Sequence, residues 1–282
     1  IDQKGQHNYF LASPFIEAIK YEGITITADG NHVIATTAFD RYNEDKPDQD
    51  RYNTLLSWPA SNPAEVNVIA ASERHGVVSS TSLRSKLLKA LSGPDTSVEY
   101  LKIEGLAAIP NNKLLFGIRE AGASHTNQNY TIKLIEASYS LDNNKLQLQD
   151  DFKLVYEFVP PDQVGIAHSL GLSSVEYDKA NDRLYLLTSF EESDKPSGIG
   201  TYLWVLPLSD MQLKKAPTLV VGADSKPLVF KHKAEGLEIL DNNRILVVND
   251  DDRIQTRVKP DEELQERDRQ LNESAFDVLQ IY

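Results

Sequence analysis

Apolar and polar positions along the chain fall into a pattern that occurs four times. Each copy opens on a short strand-like run, passes a turn rich in Asp, Asn or Gly, and continues into an almost unbroken apolar run. The stretches are EGITITADGNHVIATTAF (22–39), EGLAAIPNNKLLFGIRE (104–120), LGLSSVEYDKANDRLYLLTSFE (170–191) and EGLEILDNNRILVVNDD (235–251). Their turns, Asp29-Gly30-Asn31, Asn111-Asn112, Asn181-Asp182 and Asp241-Asn242-Asn243, use residues that tolerate left-handed backbone. The second runs (Val33 to Thr37, Leu114 to Ile118, Leu184 to Thr188, Ile245 to Val248) lack the alternation of a half-exposed strand, which predicts strands covered on both faces.

More strands are predicted inside each unit. Asn53 to Trp58 and Val66 to Ala70 follow the first pair, Thr131 to Ser140 and Phe152 to Val159 the second. Tyr202 to Leu208 and either Leu219 to Val221 or Leu228 to Phe230 follow the third, and Phe276 to Ile281 the fourth. Three or four hairpin-linked strands per repeat describe the blade of a β-propeller. The fold class is therefore all-β: a propeller of four recognisable repeats in one domain spanning 1–282, with five blades the alternative if residues 1–20 and 60–100 hold a degenerate one.

The motif glycines Gly23, Gly105, Gly171 and Gly236 are spaced 82, 66 and 65 residues apart. The longer first spacing contains Ser79 to Leu91, where Leu83, Leu87, Leu88 and Leu91 recur at helical spacing before Gly93-Pro94. This predicts a helical insert near 80–92, outside or beneath the ring. A second insert is predicted at 261–272, after Pro260. The fourth unit has room for one further strand, so Gln6 to Phe10 is expected to supply its outer strand and close the ring's open edge. Trp58 and Trp204 lie in strand patterns and are expected between blades.

Composition narrows the function classes. The chain of 282 residues carries 42 acidic against 29 basic side chains, a net charge of −13. That disfavours a nucleic-acid partner, which needs a basic surface. Without cysteine, disulfides and thiolate metal sites are excluded. No apolar run approaches the roughly 20 residues of a membrane helix. The first residue is Ile1 rather than Met, which fits a trimmed chain or a secreted or periplasmic protein whose signal peptide has been removed.

At the level of motifs, KIEGLAAIPNNKLLFGIRE (102–120) resembles the second repeat of the phytase-like and esterase-like propeller families and of related bacterial propeller domains of unknown function. KAEGLEILDNNRILVVNDDD (233–252) is similar to their closing repeat, and GLSSVEYDKANDRLYLLTS (171–189) to a weaker middle one. The helical insert between the first and second repeats is shared. The resemblance covers nearly the whole chain through short motifs. It implies a propeller, and hydrolysis of phosphate or carboxylic esters as one activity of the group.

The innermost strand of each blade lines a propeller's channel, so Glu22, Glu104 and Glu235 are expected to converge there. Near them would lie the polar ends of the second strands: Asp40 and Arg41, Arg119 and Glu120, Ser189 and Glu191, and Asn249, Asp250 and Asp251. Like charges held that close need a cation or an arginine. One reading is a divalent cation, Ca²⁺ for an all-oxygen set, on Glu22, Glu104, Glu235, Asp250 and Asp251. Arg119, Glu120, His168 and Asp250 are then the catalytic candidates, with Arg119 as an anion clamp. The other reading makes each glutamate an acceptor for backbone N–H groups of the next blade, beside a glycine that permits close approach. Leu170 stands where the other copies have Glu, which breaks the symmetry. Ala167-His168-Ser169-Leu170-Gly171 superficially matches a nucleophile elbow, but a strand rather than a helix follows it. The sequence thus predicts a binding or scaffold propeller that takes a small molecule or a protein at its channel mouth. A metal-dependent ester hydrolase is the alternative.

Overall fold

The fold is described from a computed structural model, which describes residues 11–281 except 95, 144, 161–165, 252–253, 255, 259–264 and 271–272. The predicted turns form as their residues require. Asn111 (φ 64°), Asn112 (φ 54°), Asp182 (φ 50°) and Gly30 (φ 76°) all occupy the left-handed region.

Four antiparallel sheets follow one another along the chain, each starting from its innermost strand. Blade 1 runs Tyr21–Ile26, His32–Thr37, Leu55–Pro59 and Asn67–Val68. Blade 2 runs Tyr100–Ile109, Lys113–Ser124 and Asn127–Asp142, whose far edge pairs with both Lys145–Leu148 and Lys153–Glu157. Blade 3 runs Gly171–Asp178, Arg183–Glu191 and Ile199–Pro207, and the last pairs with both Thr218–Leu219 and Val229–Phe230. Blade 4 has Ala234–Asp241, Arg244–Asn249 and Phe276–Gln280, with no fourth strand among the described residues. The arrangement is a four-bladed β-propeller. Residues 60–100 form no fifth blade; they hold the last strand of blade 1, a hairpin of Ser72–Arg74 with Val77–Ser79, and a helix.

That helix, Ser82–Leu91, lies where the leucine spacing placed it and buries Leu83, Leu87 and Leu91. All three join the core between blades 1 and 2, with Ile34, Leu55, Leu106 and Phe116. Each fully buried leucine stabilises by about 1.5–3 kcal/mol. A second core joins blades 2 and 3 through Leu115, Leu172, Leu186 and Trp204, and a third joins blades 3 and 4 through Tyr185, Leu203, Leu237 and Val247.

Among the described residues, blades 1 and 4 share no such core. The remaining face of blade 1 (Ala35, Leu56, Trp58) is covered by Ala18 and Phe15, from the segment around the short helix Ser13–Glu17. The remaining face of blade 4 leaves Val248, Phe276 and Val278 exposed, Phe276 to 64 %. The glycines record the same difference. A Cβ on Gly23 would lie 2.9 Å from Leu106 of blade 2, and one on Gly105 would lie 2.8 Å from Val175 of blade 3. A Cβ on Gly236 would meet nothing closer than 3.3 Å, and only Val248 of its own blade. Among the described residues, no apolar core closes the ring between its first and last blades.

Two expectations change. The insert at 261–272 is not helical in its described part, since Arg267–Asp268 pairs with Arg257–Val258 as a two-stranded ribbon. Pairing across the ribbon, with Arg257 bonded to Asp268 and the Glu266 carbonyl, prevails over helix propensity there. Trp58 packs edge-on against Phe15 (centroids 4.9 Å apart) rather than between blades, because its face of blade 1 borders the gap. Trp204 does sit between blades, with its Nε1 donating to Thr188 Oγ1 at 2.8 Å. The strand expected at Gln6 to Phe10 lies outside the described residues.

Candidate functional site

The three motif glutamates reach the ring's centre by one device. In each inner strand the pairing register skips at the glutamate: between Tyr21 and Gly23, between Ile103 and Gly105, and between Ala234 and Gly236. The glutamate is thus the extra residue of a β-bulge, and a bulge re-aims its side chain. In blade 3 the skip falls at Ser173.

Two residues before each glutamate stands a lysine: Lys20, Lys102 and Lys233. Lys102 pairs with Glu104, Lys233 with Glu235 at 2.8 Å, and Lys20 with Glu22 at 3.7 Å and Asp40 at 2.5 Å. The repeat is therefore Lys-x-Glu-Gly in three blades, a signal present in the sequence beside the tripeptide that was read. In blade 3, His168 and Leu170 replace the pair, and Arg119 of blade 2 fills the place. Its guanidinium is 1 % exposed, lies 3.1 Å from Glu104, donates to Ser173 Oγ (3.1 Å) and Ser189 Oγ (2.7 Å), and stacks on Tyr130. Gly171 makes this crossing possible, since a Cβ there would meet Arg119 at 2.8 Å.

The remaining predicted residues are held by structural bonds. Glu120 accepts the Tyr100 hydroxyl at 2.7 Å. Asp251 is buried and accepts from His232 Nδ1 (2.7 Å), Thr256 Oγ1 (2.6 Å) and the Lys233 N–H (2.8 Å). Burial opposes its charge, yet these bonds keep its carboxyl below the usual range. Asp250 is exposed, and its N–H donates to the Lys233 carbonyl. His168 lies apart from the glutamates. It stacks on Phe190 (centroids 3.7 Å apart), bonds Glu192 through Nδ1 at 2.8 Å, and lines a separate cavity of about 330 Å³.

These residues do not fit a calcium ion. Each motif carboxylate already has an ammonium beside it, and Asp251 spends its oxygens on His232, Thr256 and a backbone amide. Among the described residues, no three His, Asp or Glu side chains are placed to hold a metal ion. Arg119, expected as an anion clamp, is buried and directs Nη1 to Glu104, Ser173 and Ser189.

What remains open is a cleft of about 440 Å³ at the gap between blades 1 and 4. Its walls include Phe15, Tyr21, Ile24, Trp58, Val175 and Leu237, and three carboxylates look into it: Glu22, Glu235 and Glu176. Burial, aided by repulsion from Glu104 and Glu235 against the pull of Lys102 and Lys20, pushes Glu22 up to about 8. Burial and the nearby Glu238 push Glu176 up to about 8 as well. Burial, then Glu104 and Asp250 working against Lys233, raise Glu235. Lys102 is held above its usual value because Glu104 and Glu22 outweigh its burial.

A four-bladed β-propeller with a carboxylate-lined cleft is the class that fold and site define. No protein-family model and no curated protein matches the chain. Among solved structures, it is similar to a mutant β-fructofuranosidase of Microbacterium saccharophilum (TM-score 0.50, 9 % identity, 86 % of this chain and 54 % of that one). It is also matched with the periplasmic gluconolactonase of Pseudomonas aeruginosa (TM-score 0.36, 8 % identity, 92 % and 73 %) and with the Dos1 propeller (TM-score 0.33, 11 % identity, 83 % and 57 %). The chain spans about half the length of the fructofuranosidase, and at such identities the likeness is one of fold. No helix among the described residues is long and apolar enough to cross a membrane.

Proposed function

We propose that the chain is a binding protein whose cleft between blades 1 and 4 takes a ligand with an apolar body and a cationic group. The observation that carries this reading is the state of Glu22. At about 8 its carboxyl holds a proton at pH 7 because burial and two neighbouring carboxylates disfavour its charge. Lys20 is drawn to Asp40 at 2.5 Å and stands 3.7 Å from Glu22, so a cation entering beside Glu22 completes its neutralisation, while Trp58, Ile24 and Leu237 receive the apolar part. The net charge of −13 favours the approach of such a ligand.

The test is calorimetric titration with benzyltrimethylammonium, whose charge does not vary with pH. A carboxyl at about 8 is about nine-tenths protonated at pH 7, so binding should release close to one proton. Affinity should increase by up to about tenfold for each unit that pH is raised toward 8 and level off above it, and Glu22→Gln should abolish the dependence. Binding without proton release, or no binding, sinks the reading. Hydrolysis of esters is a second reading that draws on the same observation, because a protonated carboxyl at neutral pH is a general acid. Turnover of p-nitrophenyl esters that disappears in Glu22→Gln would favour it, and an inert wild-type chain would end it.

A further inference from the structure

A cavity of about 480 Å³ lies between blades 2 and 3, away from the channel. That is within the ~300–1,000 Å³ range of small-ligand pockets. Its floor is apolar, formed by Ile109, Leu208 and Met211, each less than a tenth exposed. Its lip is basic: Lys113, Lys153 and Lys214 line it against a single carboxylate, Glu136. Glu136 engages Lys153 at 3.1 Å and Lys113 at 3.4 Å, and Lys113 also lies 3.5 Å from Asp151.

Lys214 has no carboxylate at ion-pair distance among the described residues. It also sits at φ 54°, just past the helix Leu208–Gln212, with its N–H on the Met211 carbonyl. Glycine is the usual residue at a left-handed helix end, and a lysine there costs about 1 kcal/mol. Three ammonium groups over an apolar floor run against a chain of net charge −13.

We propose that this cavity is a second binding site, for a small aliphatic or aromatic carboxylate. The tail would displace water from Ile109, Leu208 and Met211, and the head would sit between Lys153 and Lys214. The cavity is remote from the cleft and selects the opposite charge, so neither site's test bears on the other.

Met211 is the chain's only methionine and lines this cavity, so a ¹³C-methyl-methionine label gives one resonance at the site. The titrants are octanoate, octanol and octylammonium, which share a tail and differ in head charge. Octanoate should move the Met211 resonance to saturation, with octanol about tenfold weaker and octylammonium weaker still. Added salt should weaken octanoate alone. In the Lys153→Gln, Lys214→Gln double variant the free-state resonance should stay in place, which reports an intact cavity, and octanoate should fall to the affinity of octanol. Equal affinities for octanoate and octanol in the wild type would overturn the proposal. So would a Met211 resonance that no titrant moves.

Discussion

Glu22 should make the protein less stable as pH rises through the neutral range. Its carboxyl moves from 4.5 in an exposed chain to about 8 in the fold, so the folded state holds a proton that the unfolded state has released. The contribution to stability is therefore complete below about pH 4.5 and is lost as pH climbs through 8. At about 1.4 kcal/mol per pH unit, the gap of 3.5 amounts to roughly 5 kcal/mol above pH 8, and to about 3 kcal/mol by pH 7. The side chain is only 13 % exposed, so solvent screening removes little of this. Urea unfolding of wild type and Glu22→Gln at half-unit steps from pH 5 to 9 measures it directly. The variant should show a flatter stability profile and should exceed wild type by an increasing margin above pH 6. Glu176, also near 8, should keep a residual slope in both proteins. Parallel profiles would show that Glu22 is ionised in the fold like an ordinary carboxylate, and the reading of the cleft would fall with it.

Two further outcomes test the ring itself. Gly105→Ala should destabilise by about 1–3 kcal/mol through overpacking against Val175, whereas Gly236→Ala should cost less than about 1 kcal/mol, because no other blade stands over it; equal losses in thermal melts would mean that blades 1 and 4 pack as the others do. Arg119→Met should destabilise by about 3 kcal/mol, since it strips a buried charge pair of one member while leaving Lys102 beside Glu104, and a loss below 1 kcal/mol would remove Arg119 as the link between blades 2 and 3.

The strands and turns were legible in the sequence because each is a local hairpin. Asn111-Asn112 declares its turn, Leu114 to Ile118 declares a strand covered on both faces, and the leucines of Ser82–Leu91 declare their helix. The convergence of Glu22, Glu104 and Glu235 was legible too, since equivalent residues of a repeat meet at its axis. Their partners are spelled out as well, since a lysine two places earlier recurs in three units, but acidic residues in a ring look like metal ligands, and for Glu104 and Glu235 an internal ammonium meets the same electrostatic need. Arg119 bonds Ser173 and Ser189 of the next blade, where Gly171 leaves room, and nothing in a linear alignment shows such a crossing. The gap between blades 1 and 4 was hidden for a related reason. Exposed Phe276 and Val278 have the same apolar spelling as a buried strand.

Among the described residues, three apolar seams join the four blades, so blade 4 stands at the end of a row rather than between two neighbours. Blade 4 hangs from one seam, its core with blade 3. Across that seam Thr201 Oγ1 accepts from the Ala234 N–H at 2.9 Å and donates to the His232 carbonyl at 3.0 Å, so hydrogen bonds as well as apolar packing fix blade 4 against blade 3. Loss of that seam would therefore detach a whole blade, whereas blades 2 and 3 each keep a second neighbour.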